Sequence, residues 1–182
     1  MSLDLVRLAP AIAFALLLVT AAVFDIRSRR IPNWSLIALI GVFVVAGLLH
    51  ATPQGWLLSL MAFGAALCGS AVLYLLGVIG AGDSKLFSVA ALFAGFSNLL
   101  LFTIATTIAG GVLALAYVLI LPQLVMYGLM APPRRQGKDA GIPYGVAIAI
   151  GGLLTAVSTG FLPSPYQTPA AEHAQAAYPS TS

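Results

Sequence analysis

The placement of charge constrains this chain more than any other feature. Its eight lysines and arginines and five acids are nearly excluded from six long apolar runs and gather in the stretches between them. Apolar runs of about 20 residues are what a helix needs to cross the hydrocarbon of a bilayer. With 60% hydrophobic and 7% charged residues, a water-soluble domain would be covered in apolar patches, so lipid is the expected solvent. Six spans consume nearly all of the 182 residues. The expected fold is therefore all-α: one polytopic transmembrane bundle over residues 1–162, then a tail over 163–182 that is rich in Pro, Ala, Ser and Thr and expected to be disordered. The net charge of +3 resides in short clusters beside apolar runs, the arrangement that orients a membrane protein, so no nucleic-acid partner is expected. Cys68 has no second cysteine to pair with and reads as a small apolar packing residue.

The first run, Leu8 to Ile26, is preceded by Arg7 and Asp4 and followed at once by Arg27, Arg29 and Arg30. A retained span with its N-terminus outside follows from that asymmetry, rather than a cleaved signal. Pro32 and Asn33 break the chain before a second run, Trp34 to Leu49, and the loop from His50 to Gly55 carries no full charge and is expected outside. A third span, Trp56 to Ile79, ends in the glycines at 77, 80 and 82, where Asp83 and Lys85 mark the cytoplasmic side. The fourth, Ser84 to Phe96, is short and reads as tilted or partly re-entrant. A fifth runs from Leu99 to Met130 with a kink expected at Pro122, and Arg134, Arg135, Lys138 and Asp139 return the chain to the cytoplasm. The sixth, Ile142 to Leu162, places the C-terminus outside. The pairs Gly110 with Gly111 and Gly151 with Gly152 are expected to let helices approach closely.

Asp4, Asp139 and Glu172 fall in loops or tails, whereas Asp25 and Asp83 fall at span ends. An ionisable residue in a span costs about 2.5–3.5 kcal/mol at the bilayer centre and less near an interface, which makes it a functional candidate. Each acid has a plainer explanation as well: Asp25 could pair with Arg29 one turn later, and Asp83 could cap the fourth helix. The topology nevertheless brings both to one cytoplasmic level. Two carboxylates sharing a site do not readily both ionise, so such a pair holds one proton and supplies a base and an acid together. The base would take a proton from water attacking a peptide carbonyl; the acid would donate to the carbonyl oxygen and then to the leaving amine. Asp83, near a helix N-terminus and Lys85, reads as the base, although a coupled pair resists such an assignment. That chemistry calls for no metal and no cofactor. The glycines beside Asp83 allow an open turn and the close approach of an extended peptide.

Gly80-Ala81-Gly82-Asp83-Ser84-Lys85 resembles the GxGD signature of intramembrane aspartyl proteases, in the GxGDxK form of the type IV prepilin peptidases. Asp25-Ile26-Arg27-Ser28-Arg29-Arg30-Ile31-Pro32-Asn33 is similar to that family's segment in which an aspartate precedes an isoleucine-proline-asparagine turn. Ile142-Pro143-Tyr144-Gly145 looks like its proline-aromatic-glycine segment opening the last helix. The resemblance extends over about Leu8 to Leu162. It implies a multi-pass protein of the bacterial inner membrane that removes the leader of a prepilin or pseudopilin at the cytoplasmic face. Asp25 and Asp83 would be catalytic, and Gly80, Gly82, Lys85, Pro32, Asn33, Pro143, Tyr144 and Gly145 would bind substrate or shape the site. Larger members carry a cytoplasmic domain with paired cysteines and methylate the new terminus; no such insertion fits here, and the short form is similar to the peptidases of tight-adherence (Flp-type) pilus systems.

Other classes compete with this reading. A non-enzymatic pilus-assembly protein or a proton-coupled transporter could use the same acids, though transporters favour paired repeats and polar residues near the midplane. A presenilin-like or signal-peptide-peptidase-like protease shares GxGD but has a tyrosine before its first aspartate, where this chain has Phe24. Arg27, Arg29, Arg30, Arg134 and Arg135 could hold lipid headgroups or an acidic residue of a substrate, but orientation alone accounts for them.

Overall fold

The computed structural model describes residues 3–52, 54–127 and 144–162. They form six helices and no strand: α1 (Leu3–Ser28), α2 (Asn33–Leu48), α3 (Trp56–Leu75), α4 (Ala81–Ala94), α5 (Leu99–Met126) and α6 (Tyr144–Ser158). The all-helical membrane bundle expected from the apolar runs is what the chain adopts. Three stretches, Leu8–Ser28, Trp56–Leu75 and Leu99–Ile120, are long and apolar enough to cross a bilayer, and α2 and α6 are shorter apolar helices. Arg134, Arg135, Lys138, Asp139, Pro143 and the tail 163–182 lie outside the described residues.

Helix ends differ from the expected ones where backbone geometry overrides hydropathy. The first helix begins at Leu3, so Asp4 belongs to its opening turn rather than to a tail. The third stops at Leu75, before Ile79, because Gly77 takes the left-handed conformation (φ 73°) that closes a helix. The fourth starts at Ala81, which places Asp83 inside its first turn. Helix α5 continues past Pro122 to Met126.

Short as it is, α4 is the axis of the bundle. It packs on α2, α3, α5 and α6. Every residue from Ser88 to Ala94 is buried. Enclosure by protein explains how a segment with Gly82, Asp83, Ser84 and Ser88 in its first turns can lie at membrane depth, where polar groups need internal partners. Its second half carries Phe93, whose ring lies 4.1 Å from Phe14, 5.5 Å from Phe43 and 5.6 Å from Phe161, centroid to centroid. This aromatic cluster joins α1, α2 and α4 to the turn after α6, within the range where ring pairs contribute about 0.5–1.5 kcal/mol each beyond area burial.

Of the two glycine pairs expected to let helices approach, Gly151 and Gly152 do so, whereas Gly110 makes ordinary contact with Ala147 at 3.6 Å and Gly111 faces open space. A Cβ at Gly151 of α6 would lie 2.8 Å from the backbone N of Thr106 in α5, and one at Gly152 would lie 2.8 Å from Leu18 of α1. Cys68, expected to pack as a small apolar residue, is exposed on the surface of the bundle. Lipid is as apolar as a helix interface, so an apolar side chain carries no signal for which way it faces.

The two ends of the bundle are distinguishable. At one, the Ser97 N–H donates to Oε1 of Gln54 at 3.0 Å, tying the α2–α3 loop to the α4–α5 loop, both expected on the outer side. The end of α1, the start of α4 and the start of α6 gather at the other.

Candidate active site

Asp25 lies one turn before the end of α1 and is only 6% exposed. The first amides of a helix have no acceptor within it. The N-terminus of α6 faces Asp25, and the Gly145 N–H donates to its Oδ2 at 2.8 Å across 120 positions of sequence. Only glycine permits this approach: a Cβ at 145 would stand 2.9 Å from Oδ2 and 3.2 Å from Cγ of Asp25. Arg29, one turn on, is near enough for its charge to act on Asp25.

Asp83 comes from the opposite wall. As the third residue of α4 it reaches back, and its Oδ2 accepts the N–H of Gly80 at 3.3 Å. The helix-capping role foreseen for this acid is therefore also real. It does not exhaust the residue, because Asp83 also lines a cavity of about 660 Å³ and feels the charge of Asp25. The chain thus brings the two span-end acids to one end of the bundle and into electrostatic reach of each other.

The remaining expected residues divide. Gly82 seats α4 against the α1–α2 turn, its missing Cβ lying 3.6 Å from Cβ of Ile31. Pro32 caps α2, its carbonyl accepting the Ser35 N–H at 3.1 Å and the Ser35 hydroxyl at 2.7 Å. Asn33 opens α2 and is exposed. Tyr144 lines the cavity with Asp83. Gly80 donates the bond just described, and Pro143 lies outside the described residues. Lys85 is exposed and is not among the groups whose charge acts on Asp83. The sequence reading placed it beside that acid, but residues two apart on a helix do not share a face.

Three residues were missed. Ser70 of α3 shares a hydrogen bond with Ser84 at 2.8 Å and with Ser88 at 3.3 Å, while the Ser88 hydroxyl donates to the Ser84 carbonyl at 2.7 Å. All three serines are buried, and the cluster ties α3 to the turn of α4 that carries Asp83. Serines at 84 and 88, one turn apart in an apolar helix, were the available signal. The packing of Thr106 against Gly151 gave none, whereas Ile31 belongs to the isoleucine-proline-asparagine turn already read from the sequence.

A model of the type IV leader peptidase family matches residues 12–115, more than half of the chain. The chain belongs to that family. The matched segment of this leader peptidase family member contains Asp25, Asp83 and the glycine turn, and stops before the α6 residues that hold Asp25. Comparisons with curated proteins and with solved structures each find no match.

Proposed function

We propose that this leader peptidase is an aspartyl endopeptidase of the bacterial inner membrane, and that it removes the leader of a prepilin or pseudopilin at the cytoplasmic face with Asp25 and Asp83 as its catalytic pair. The observation that carries the reading is the placement of the two acids at one end of the bundle, within electrostatic reach of each other and with Asp83 on a cavity wall. One shared proton makes one carboxyl the acid and the other the base. The ionised member draws a proton from a water attacking the scissile carbonyl carbon. The protonated member donates to the carbonyl oxygen, and the nitrogen of the collapsing intermediate receives a proton as the amide bond breaks. This route needs neither metal nor cofactor. The Gly145 N–H holds Asp25 in place during the exchange, and the Ser70 cluster anchors the turn bearing Asp83.

The same reading makes residues 1–162 a single catalytic bundle with both termini outside, the arginines after α1 facing the cytoplasm, and 163–182 an appendage. Family membership favours it over a transporter or a scaffold. The test is incubation of the purified chain with a prepilin and mass spectrometry of the new N-terminus. Asp25→Asn and Asp83→Asn should each lower the rate by about 10²–10⁴-fold, the usual range for a general acid or base, while the proteins still insert. Undiminished cleavage by either variant defeats the proposal.

A further inference from the structure

The cavity that Asp83 lines lies where two spans fail to meet. Helices α3 and α5 make almost no contact, although both pack on α4. They are also the least covered of the long spans: 22% and 11% of their apolar windows are buried, against 39% for α1. Facing across the gap are Ala66, Gly69 and Leu73 of α3 and Thr103, Gly110 and Ala114 of α5. These positions recur at the three- and four-residue spacing of a helix face; Ala66 is buried and Gly110 lies against Ala147 of α6, while Gly69 and Leu73 of α3 and Thr103 and Thr107 of α5 are exposed to the gap. Phe87 of α4 and Ile148 of α6 form the floor. From Leu99 to Ala114 the slot follows α5 for about 22 Å at 1.5 Å per residue, most of the hydrocarbon thickness.

We propose that this slot receives the apolar helix of the substrate itself, entering sideways from the bilayer; the inference rests on the peptidase reading. The chemistry of the walls selects such a partner. The Thr103 and Thr107 hydroxyls each donate to a carbonyl of their own helix at 2.8 Å, which leaves their methyl groups to the gap. Gly69 and Gly111 have nothing within 4 Å of where a Cβ would stand, so a backbone can come close on both sides, as small residues allow between helices in lipid. A lipid tail would fill the space but brings only esters and a headgroup to its inner end, with no peptide bond for the acids to act on. There the walls converge on Asp83, next to the glycine turn where a helix can be unwound for cutting. The slot would hold the span and deliver the residues that precede it to the acids.

Filling the slot tests this directly. Gly69→Phe and Gly111→Phe place a ring in open space, and Gly41→Phe makes the same change at an equally open glycine of α2. Two substrates are compared in each variant: the full membrane-inserted prepilin, and a short peptide holding only its leader and cut site. The two slot variants should lose about tenfold more rate on the full substrate than on the peptide, while Gly41→Phe treats both as the wild type does. Equal losses on both substrates, or full processing of both, overturn the slot and leave the catalytic pair standing. A wild-type chain that cleaves neither removes the peptidase reading and the slot's occupant with it. A measurement independent of turnover is disulfide capture in a Cys68→Ala background. Gly111→Cys should trap a prepilin carrying a cysteine in its apolar helix and Gly41→Cys should not; equal trapping at both sites, or none at Gly111→Cys, refutes docking.

Discussion

The N–H of Gly145 meets Oδ2 of Asp25 at 2.8 Å, joining the start of α6 to the end of α1. The bond fixes a carboxylate with a donor that needs no side chain, and it leaves no room for one.

Gly145→Ala should therefore act on the reaction more than on the fold. Its Cβ would press on the Asp25 carboxyl from 2.9 Å. Displacing a reacting group by an ångström costs about 10²-fold in rate, whereas small overpacking costs about 1–3 kcal/mol. Leader removal should fall by about that factor while the detergent-solubilised protein keeps its elution profile. An alanine variant with wild-type turnover would separate Gly145 from the site.

Ser70 and Ser59 give a matched pair on α3. Both are buried, at 3% and 0% exposed, but only Ser70 is bonded to α4, and the Ser59 hydroxyl has no partner among the described residues. Ser70→Ala should cost about 1 kcal/mol of stability and loosen the turn bearing Asp83, reducing kcat several-fold with KM unchanged. Ser59→Ala removes an unsatisfied hydroxyl and should be neutral or slightly stabilising in a denaturant titration, with turnover intact. Reversed behaviour of the two would contradict the role given to the serine cluster.

The rate should pass through a maximum with pH. On the acid side the attacking water loses its base as the ionised carboxyl takes up a proton; on the alkaline side the departing proton removes the acid. Both limbs belong to the coupled pair rather than to one residue. Measuring kcat/KM from roughly pH 4 to 9 in detergent checks this, and a profile with only one limb would mean that a single carboxyl does the work.

Much of this site was legible before any coordinates. Charges beside apolar runs, the Pro32-Asn33 break and the glycines around Asp83 act along one dimension, and they sufficed to bring Asp25 and Asp83 to the same end. What escaped depends on which helix faces meet. Lys85 is near Asp83 in sequence but turned off its face by helical phase. Cys68 and Ser70 sit two residues apart in one apolar run, one exposed and the other buried, because hydropathy in lipid does not distinguish a bundle interior from its surroundings. The slot between α3 and α5 is a property of two walls that do not touch, and no local pattern records a missing contact.

Packing between α5 and α6 gives a stability test away from the acids. A Cβ at Gly151 would lie 2.8 Å from the Thr106 backbone N and 2.9 Å from its Cα, atoms that cannot move aside as a flexible side chain does. Gly151→Ala should destabilise the bundle by about 1–3 kcal/mol, read as a lower midpoint of unfolding in a denaturing detergent. Gly64, with nothing within 4 Å of its Cβ position, should accept alanine without loss.

Helix α4 also works as a ruler. The loop beyond its C-terminal end is tied down through Ser97 and Gln54, and its first turn carries Asp83, so the residues from Ser84 to Ala94 set the distance of that acid from the tied loop. One residue inserted there would lower or raise the carboxyl by about 1.5 Å and swing it by roughly 100°. If Asp83 is one of the proposed catalytic pair, the length of α4 is part of the address of the scissile bond.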